Sequence, residues 1–176
     1  TNVAVLNMMM YYIVKEGLVD KDFIENRTEG YEDFKKELLS IDLDHLEKVS
    51  GVDRKEVREA AIAYATAPNA MSFHGLGVTE HSQGTFTVIQ IADLAMMTGN
   101  IGRRGVGVNP LRGQNNVQGA ADMGVQPHQG AGYLDVTNDE VNKRYNEFYG
   151  ADVPKHIGYK IPEMFDAALN GKLKAI

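Results

Sequence analysis

The chain has 176 residues, 43% of them hydrophobic and 24% charged, which is enough apolar content for the core of one domain. A net charge of −6 excludes a general nucleic-acid binder, which needs a basic field. The absence of cysteine excludes disulfides, thiolate metal sites and a cysteine nucleophile, and leaves the redox compartment open.

In chain order, the first half reads as helices. Asn2 is placed to cap a helix whose apolar face is Val3, Leu6, Met10, Ile13 and Val14, with Gly17 ending it. The apolar stretch Val5–Val14 is far short of the roughly 20 residues that cross a bilayer, so no membrane span is expected. Met8, Met9 and Met10 read as adaptable core filler. Asp20 suits the cap of a short helix through Ile24, and residues 30–39 and 42–49 suit two more. Asp53 with Glu56 resembles a capping box and opens a helix whose stripe is Val57, Ala60, Ala61, Tyr64 and Ala65, stopped by Pro68.

Ala70–His74 reads as a short strand, followed by the turn Gly75-Leu76-Gly77. Thr85–Thr98 is apolar nearly all round, the pattern of a buried helix. Residues 99–132 then carry nine of the 18 glycines, and a loop this long is commonly functional. Arg103, Arg104 and Arg112 face only Asp122 there, a locally basic, glycine-rich setting that suits an anionic ligand. Residues 138–149 and 161–169 read as helices, and Leu173–Ile176 as the start of a strand. With threonine first and Lys174-Ala175-Ile176 last, both ends are expected to be cut from a longer polypeptide.

Several constellations compete for chemistry. Gly75-Leu76-Gly77-Val78-Thr79-Glu80 begins like a dinucleotide fingerprint, but Glu80 replaces its third glycine. It is either a tight strand-to-helix turn or a turn that lets backbone approach a phosphate or pterin. The five histidines, His74 and His81 among them, show no metal-ligand spacing, so no metal site is expected within the chain. Glu80-His81 is either an acid–base pair or a solvated loop pair. Arg112 is the sharpest candidate, because a guanidinium forks onto a carboxylate. Gln114, two residues on, points to the same side if the segment is extended. Together they could grip a small planar anion or orient a cofactor; the alternative is that Arg112 pairs with Asp122.

Residues 97–124, MTGNIGRRGVGVNPLRGQNNVQGAADMG, closely resemble the catalytic (alpha) subunit of molybdenum- or tungsten-dependent formate dehydrogenases, within the molybdopterin oxidoreductase superfamily. GLVDKDFIENRTEGYEDFKKEL, HGLGVTEHSQGT and HIGYKIPEMFDAALNGKLKAI resemble other segments of that subunit, so the likeness covers essentially the whole chain. It implies one domain of α/β class, the middle portion of a catalytic subunit. The layout would be three layers of helices around a small, mainly parallel sheet, with a long glycine-rich loop over 99–137.

The resemblance also implies oxidation of formate to carbon dioxide by two-electron transfer. The centre would be molybdenum or tungsten on two molybdopterin guanine dinucleotides, with a 4Fe-4S cluster in a part of the subunit outside this chain. Partners would be formate, the remaining domains of the same subunit and electron-transfer subunits. Residue by residue, Arg112 matches the arginine that holds formate. Gln114, beside Gly113, matches a pterin contact, and Gly75, Leu76, Gly77 and Glu80 sit where the family touches a guanine dinucleotide. Leu76 and Glu80 stand where relatives often have methionine and glutamine, and Ala121 where they often have cysteine. The isolated piece is expected to be inactive. Two other readings remain: a related oxidoreductase for a different small anion, which RGQNN disfavours, and a non-catalytic subunit-binding domain of the same fold.

Overall fold

A computed structural model describes residues 1–175. They form two compact units, Thr1–Gly113 and a second from Gln114 onward.

The first unit is built on α1 (Asn2–Lys15), α2 (Lys21–Arg27), α3 (Tyr31–Leu39), α4 (Leu43–Ser50) and α5 (Arg54–Thr66). There follow β1 (Met71–His74), α6 (Leu76–Thr79), α7 (Gly84–Met97) and β2 (Gly107–Pro110). The core joins Met10 and Ile13 of α1 to Leu38, Ala61, Leu94 and Met97. Met8 is also fully buried, as filler methionines should be. Caps set several boundaries: Asp20 Oδ1 accepts from Phe23 N at 3.0 Å and Asp42 Oδ1 from His45 N at 3.0 Å. Gly17 follows α1 with φ 70°.

Three local expectations change. Asn2 lies inside α1, which starts after Thr1 without a side-chain cap. Asp53 caps α5 by accepting from Lys55 N at 2.7 Å, but Glu56 makes no return bond. Instead Glu47, from the preceding helix, accepts from Arg54 N at 2.9 Å and from Arg54 Nε at 2.8 Å. And α7 is not buried all round, since Phe86 is 66% exposed and Ile89 is exposed too.

The chain is α/β with a small parallel sheet: β1 pairs with β2, Met71 opposite Gly107 through His74 opposite Pro110. Among the described residues β1 has no second strand partner. The glycine-rich run is not one continuous loop, because β2 lies within it, as do α8 (Val117–Asp122) and a short hairpin. Buried Asn100 anchors its start: Oδ1 accepts from Ala70 N at 3.1 Å, and Nδ2 donates to Thr98 Oγ1 at 2.9 Å. Arg103 donates to Pro68 O at 3.0 Å and to Asn69 Oδ1, so this arginine is engaged by the fold rather than kept for an anion.

The second unit holds α8, the antiparallel pair β3 (Gln129–Gly130) and β4 (Leu134–Asp135), α9 (Asp139–Tyr149) and α10 (Ile161–Leu169). Asn138 caps α9, accepting from Glu140 N at 2.9 Å and Val141 N at 3.2 Å. Tyr145 donates its hydroxyl to Ala131 O at 2.7 Å and lays its ring over Gly130. Of the strand expected at 173–176, residues 173–175 are irregular and Ile176 lies outside the described residues.

Candidate functional site

β1 delivers the chain to Gly75 at one end of the small sheet, and β2 delivers it to Leu111 at the same end. The two exits are joined directly, Leu111 N donating to His74 O at 2.6 Å. Beyond them the backbones stay close. A Cβ built on Gly75 would stand 3.5 Å from Leu111 O, and one built on Gly113 would stand 3.7 Å from Leu76 Cδ1. The turn 75–77 and the segment 111–113, far apart in sequence, therefore form one surface.

That surface presents Arg112. Its side chain is exposed, and within its unit it has no hydrogen-bond or ion-pair partner among the described residues. Asp122, the partner weighed for it, belongs to the other unit, where its carboxylate accepts from Tyr133 Oη at 2.6 Å. Gln114 is exposed and opens the second unit. The chain bends at Gly113 and Gln114 rather than running extended, so alternation along a strand does not relate Arg112 to Gln114.

Gly75-Leu76-Gly77 is not a bare turn: residues 76–79 make one turn of helix, α6, with Glu80 closing it through Glu80 N to Leu76 O at 2.8 Å. Glu80 is exposed. His81 accepts from Gln83 N through Nδ1 at 3.3 Å, which makes it part of a local turn.

The glycines separate into two kinds. Eleven of the 18 have positive φ, which a side chain rarely adopts. Gly84 and Gly130 are enforced by space, because an added Cβ would meet Thr79 C at 2.8 Å and Tyr145 Oη at 2.7 Å, whereas at Gly119 it would meet the Asn116 side-chain amide, Nδ2 at 2.6 Å, which would have to turn aside. The remaining four have neither reason. Gly158 packs on Pro127, with Cα at 3.4 Å from an added Cβ. Gly75 and Gly113 would make only ordinary contacts, and Gly77 would meet nothing within 4 Å. Three of the four glycines that the fold leaves unexplained are thus the ones that the sequence points to as cofactor positions. A bare backbone is what a bulky ligand needs for close approach, and these residues leave theirs uncovered.

Sequence reasoning missed Leu111, whose amide couples the two motifs; a pairing across so many intervening residues has no local signature. It weighed His74 only as a metal ligand and did not anticipate its burial; its Nδ1 has no hydrogen-bond partner among the described residues. Nδ1 belongs to a residue that lines an apolar groove of about 370 Å³ between α1, β1 and α7.

A molybdopterin oxidoreductase family model matches residues 1–176. The alpha subunit of an F420-dependent formate dehydrogenase from Methanocaldococcus jannaschii is 45% identical over 94% of this chain and 24% of its own length. Formate dehydrogenase H of Escherichia coli is 42% identical over 99% of this chain and 25% of its own length. Among solved structures, acetylene hydratase from Pelobacter acetylenicus superposes with a TM-score of 0.52 at 26% identity, covering 59% of this chain and 14% of that one. The chain spans about a quarter of the length of these curated relatives.

Proposed function

The chain belongs to the molybdopterin oxidoreductase family, and on that premise we propose that it is part of a formate dehydrogenase catalytic subunit in which Arg112 holds formate. When bound, molybdenum or tungsten on molybdopterin guanine dinucleotide supplies the two-electron oxidation, with a 4Fe-4S cluster held by another part of the subunit passing the electrons on. In this reading the protein's own residues bind and orient. Gly75 and Gly77 offer uncovered backbone to the cofactor, Leu76 and Glu80 flank it, and Gly113 and Gln114 meet the pterin.

The observation that carries the reading is the pairing of an unengaged arginine with glycines that the fold does not require, on one surface. Formate is a bent anion and carbon dioxide a linear neutral molecule. A site that turns one into the other must hold the anion in one orientation and let the product go. A guanidinium does the first through charge-assisted bonds of about 1.5–3 kcal/mol each, and loses that grip when the charge leaves. In the same reading this chain's helices flank its small parallel sheet in three layers, and electron-transfer subunits are partners of the whole catalytic subunit. Retention of Arg112, Gln114 and the uncovered glycines supports this over a non-catalytic subunit-binding domain.

The test is Arg112→Ala in the full-length enzyme. Formate turnover should fall by roughly 10²-fold or more, the scale of losing one preorganised electrostatic contact, with metal and pterin content near normal. Undiminished turnover removes Arg112 from the reaction.

A further inference from the structure

Arg112 has no hydrogen bond or ion pair of its own within its unit among the described residues. What fixes it is the backbone on either side, which meets residues at the end of β1 and the start of α6. On the N-terminal side, Leu111 N donates to His74 O at 2.6 Å. On the C-terminal side, Leu76 is the neighbour, its Cδ1 standing 3.7 Å from where a Cβ on Gly113 would be. No other hydrogen bond reaches residues 111–113 within their unit among the described residues.

We infer that Leu76 is a positioning residue for Arg112, transmitting the placement of the cofactor turn to the anion-binding segment through its packing on Gly113. The inference rests on the reading of Arg112 as the formate-binding group. Leu76 is 40% exposed, so its side chain, near Gly113, also has a face open to a ligand. A cofactor lying along Gly75 and Gly77 would restrict Leu76 between two surfaces, and the segment that carries the guanidinium would lose freedom with it. Loading the cofactor and readying the anion grip are then one event rather than two. Leucine serves here by shape: methionine, of similar volume, keeps the contact, and alanine removes it.

The experiment is a double-mutant cycle in the full-length enzyme: Leu76→Ala and Leu76→Met, each with and without Arg112→Ala. Leu76→Ala should lower kcat/KM for formate roughly 10-fold, mainly through KM, and Leu76→Met should restore most of it. In the Arg112→Ala background Leu76→Ala should cost nothing further, because no guanidinium remains to be placed. Two readouts do not depend on turnover. Pterin content, measured after oxidative release, is read in each variant and kcat/KM is normalised to it, because Leu76 also flanks the cofactor. Exchange of the Leu111 amide, the one that is hydrogen-bonded, should quicken in the cofactor-free Leu76→Ala protein but not in Leu76→Met. Should Leu76→Ala fail to accumulate, Leu76→Val enters the same cycle. An equal penalty in both backgrounds, or unchanged exchange of the Leu111 amide, overturns the inference. A harmful Arg112→Ala beside a harmless Leu76→Ala overturns the positioning alone, whereas a harmless Arg112→Ala removes the reading on which it stands.

Discussion

Asp20 Oδ2 fills the space in which a Cβ on Gly99 would lie, with Asp20 Cγ 3.0 Å from that position. The same aspartate caps α2 and donates its backbone amide to Met97 O at 2.8 Å, so it fastens the start of α2 to the end of α7. Gly99 also has φ 63°. Gly99→Ala should therefore destabilise the protein by about 1–3 kcal/mol, read as a lower Tm. Asp20→Ala, which loses the cap, should cost about 1 kcal/mol. The double variant should cost less than the two together, because the clash has gone; full additivity would show that the two residues do not share this space.

Gly84 and Gly77 stand seven residues apart and should respond oppositely to alanine. At Gly84 the new Cβ meets the carbonyl carbon of Thr79 at 2.8 Å, so the variant should lose about 1–3 kcal/mol of stability. At Gly77 the space is open and the residue is helical, so alanine should be neutral or stabilise by up to about 1 kcal/mol. In the full-length enzyme Gly77→Ala should nevertheless lower pterin content. Thermal melts separate the first effect and fluorescence of released pterin the second. Normal pterin content in Gly77→Ala would leave that glycine without a purpose.

Asp93, on α7, borders a groove of about 130 Å³ with Phe34, Tyr31, Glu29 and Met97. Burial pushes its carboxyl above the ordinary value. The folded state therefore takes up the proton more readily than the unfolded chain. The favourable contribution is complete below the unfolded pKa and disappears as pH rises through the folded one. Asp93→Asn should raise stability at neutral pH by less than about 1 kcal/mol, since the group keeps contact with water. The gain should vanish in acid. Urea unfolding of both proteins across that range checks it, and a gain that persists in acid would assign the effect to something other than charge.

Much of the helical scaffold was legible. The segments 30–39, 42–49, 138–149 and 161–169 announce themselves by apolar period and cap residues, and the structure places helices within a residue or two of each. Strand β2 was not legible. Its four residues, Gly-Val-Asn-Pro, carry no alternation, and only pairing with distant β1 makes them a strand. The exposure of Phe86 and Ile89 was hidden for a different reason: an apolar pattern records what a helix is able to bury, not which atoms cover it. At the site, residue type made Arg112 a candidate, because few side chains fork onto a carboxylate, but left open whether it would pair with Asp122 instead. Its bracketing by His74 O and Leu76 arises from packing between distant segments, which no spacing along the chain encodes.

Strand β1 ends the described sheet on one side, and Phe73 on it is 61% exposed. An edge strand beside an uncovered aromatic ring is a template on which another molecule's strand can add. Made alone and concentrated, this polypeptide should stick to its own kind through that margin. Co-expression with the other parts of the proposed subunit, rather than milder buffers, is what should keep it dispersed.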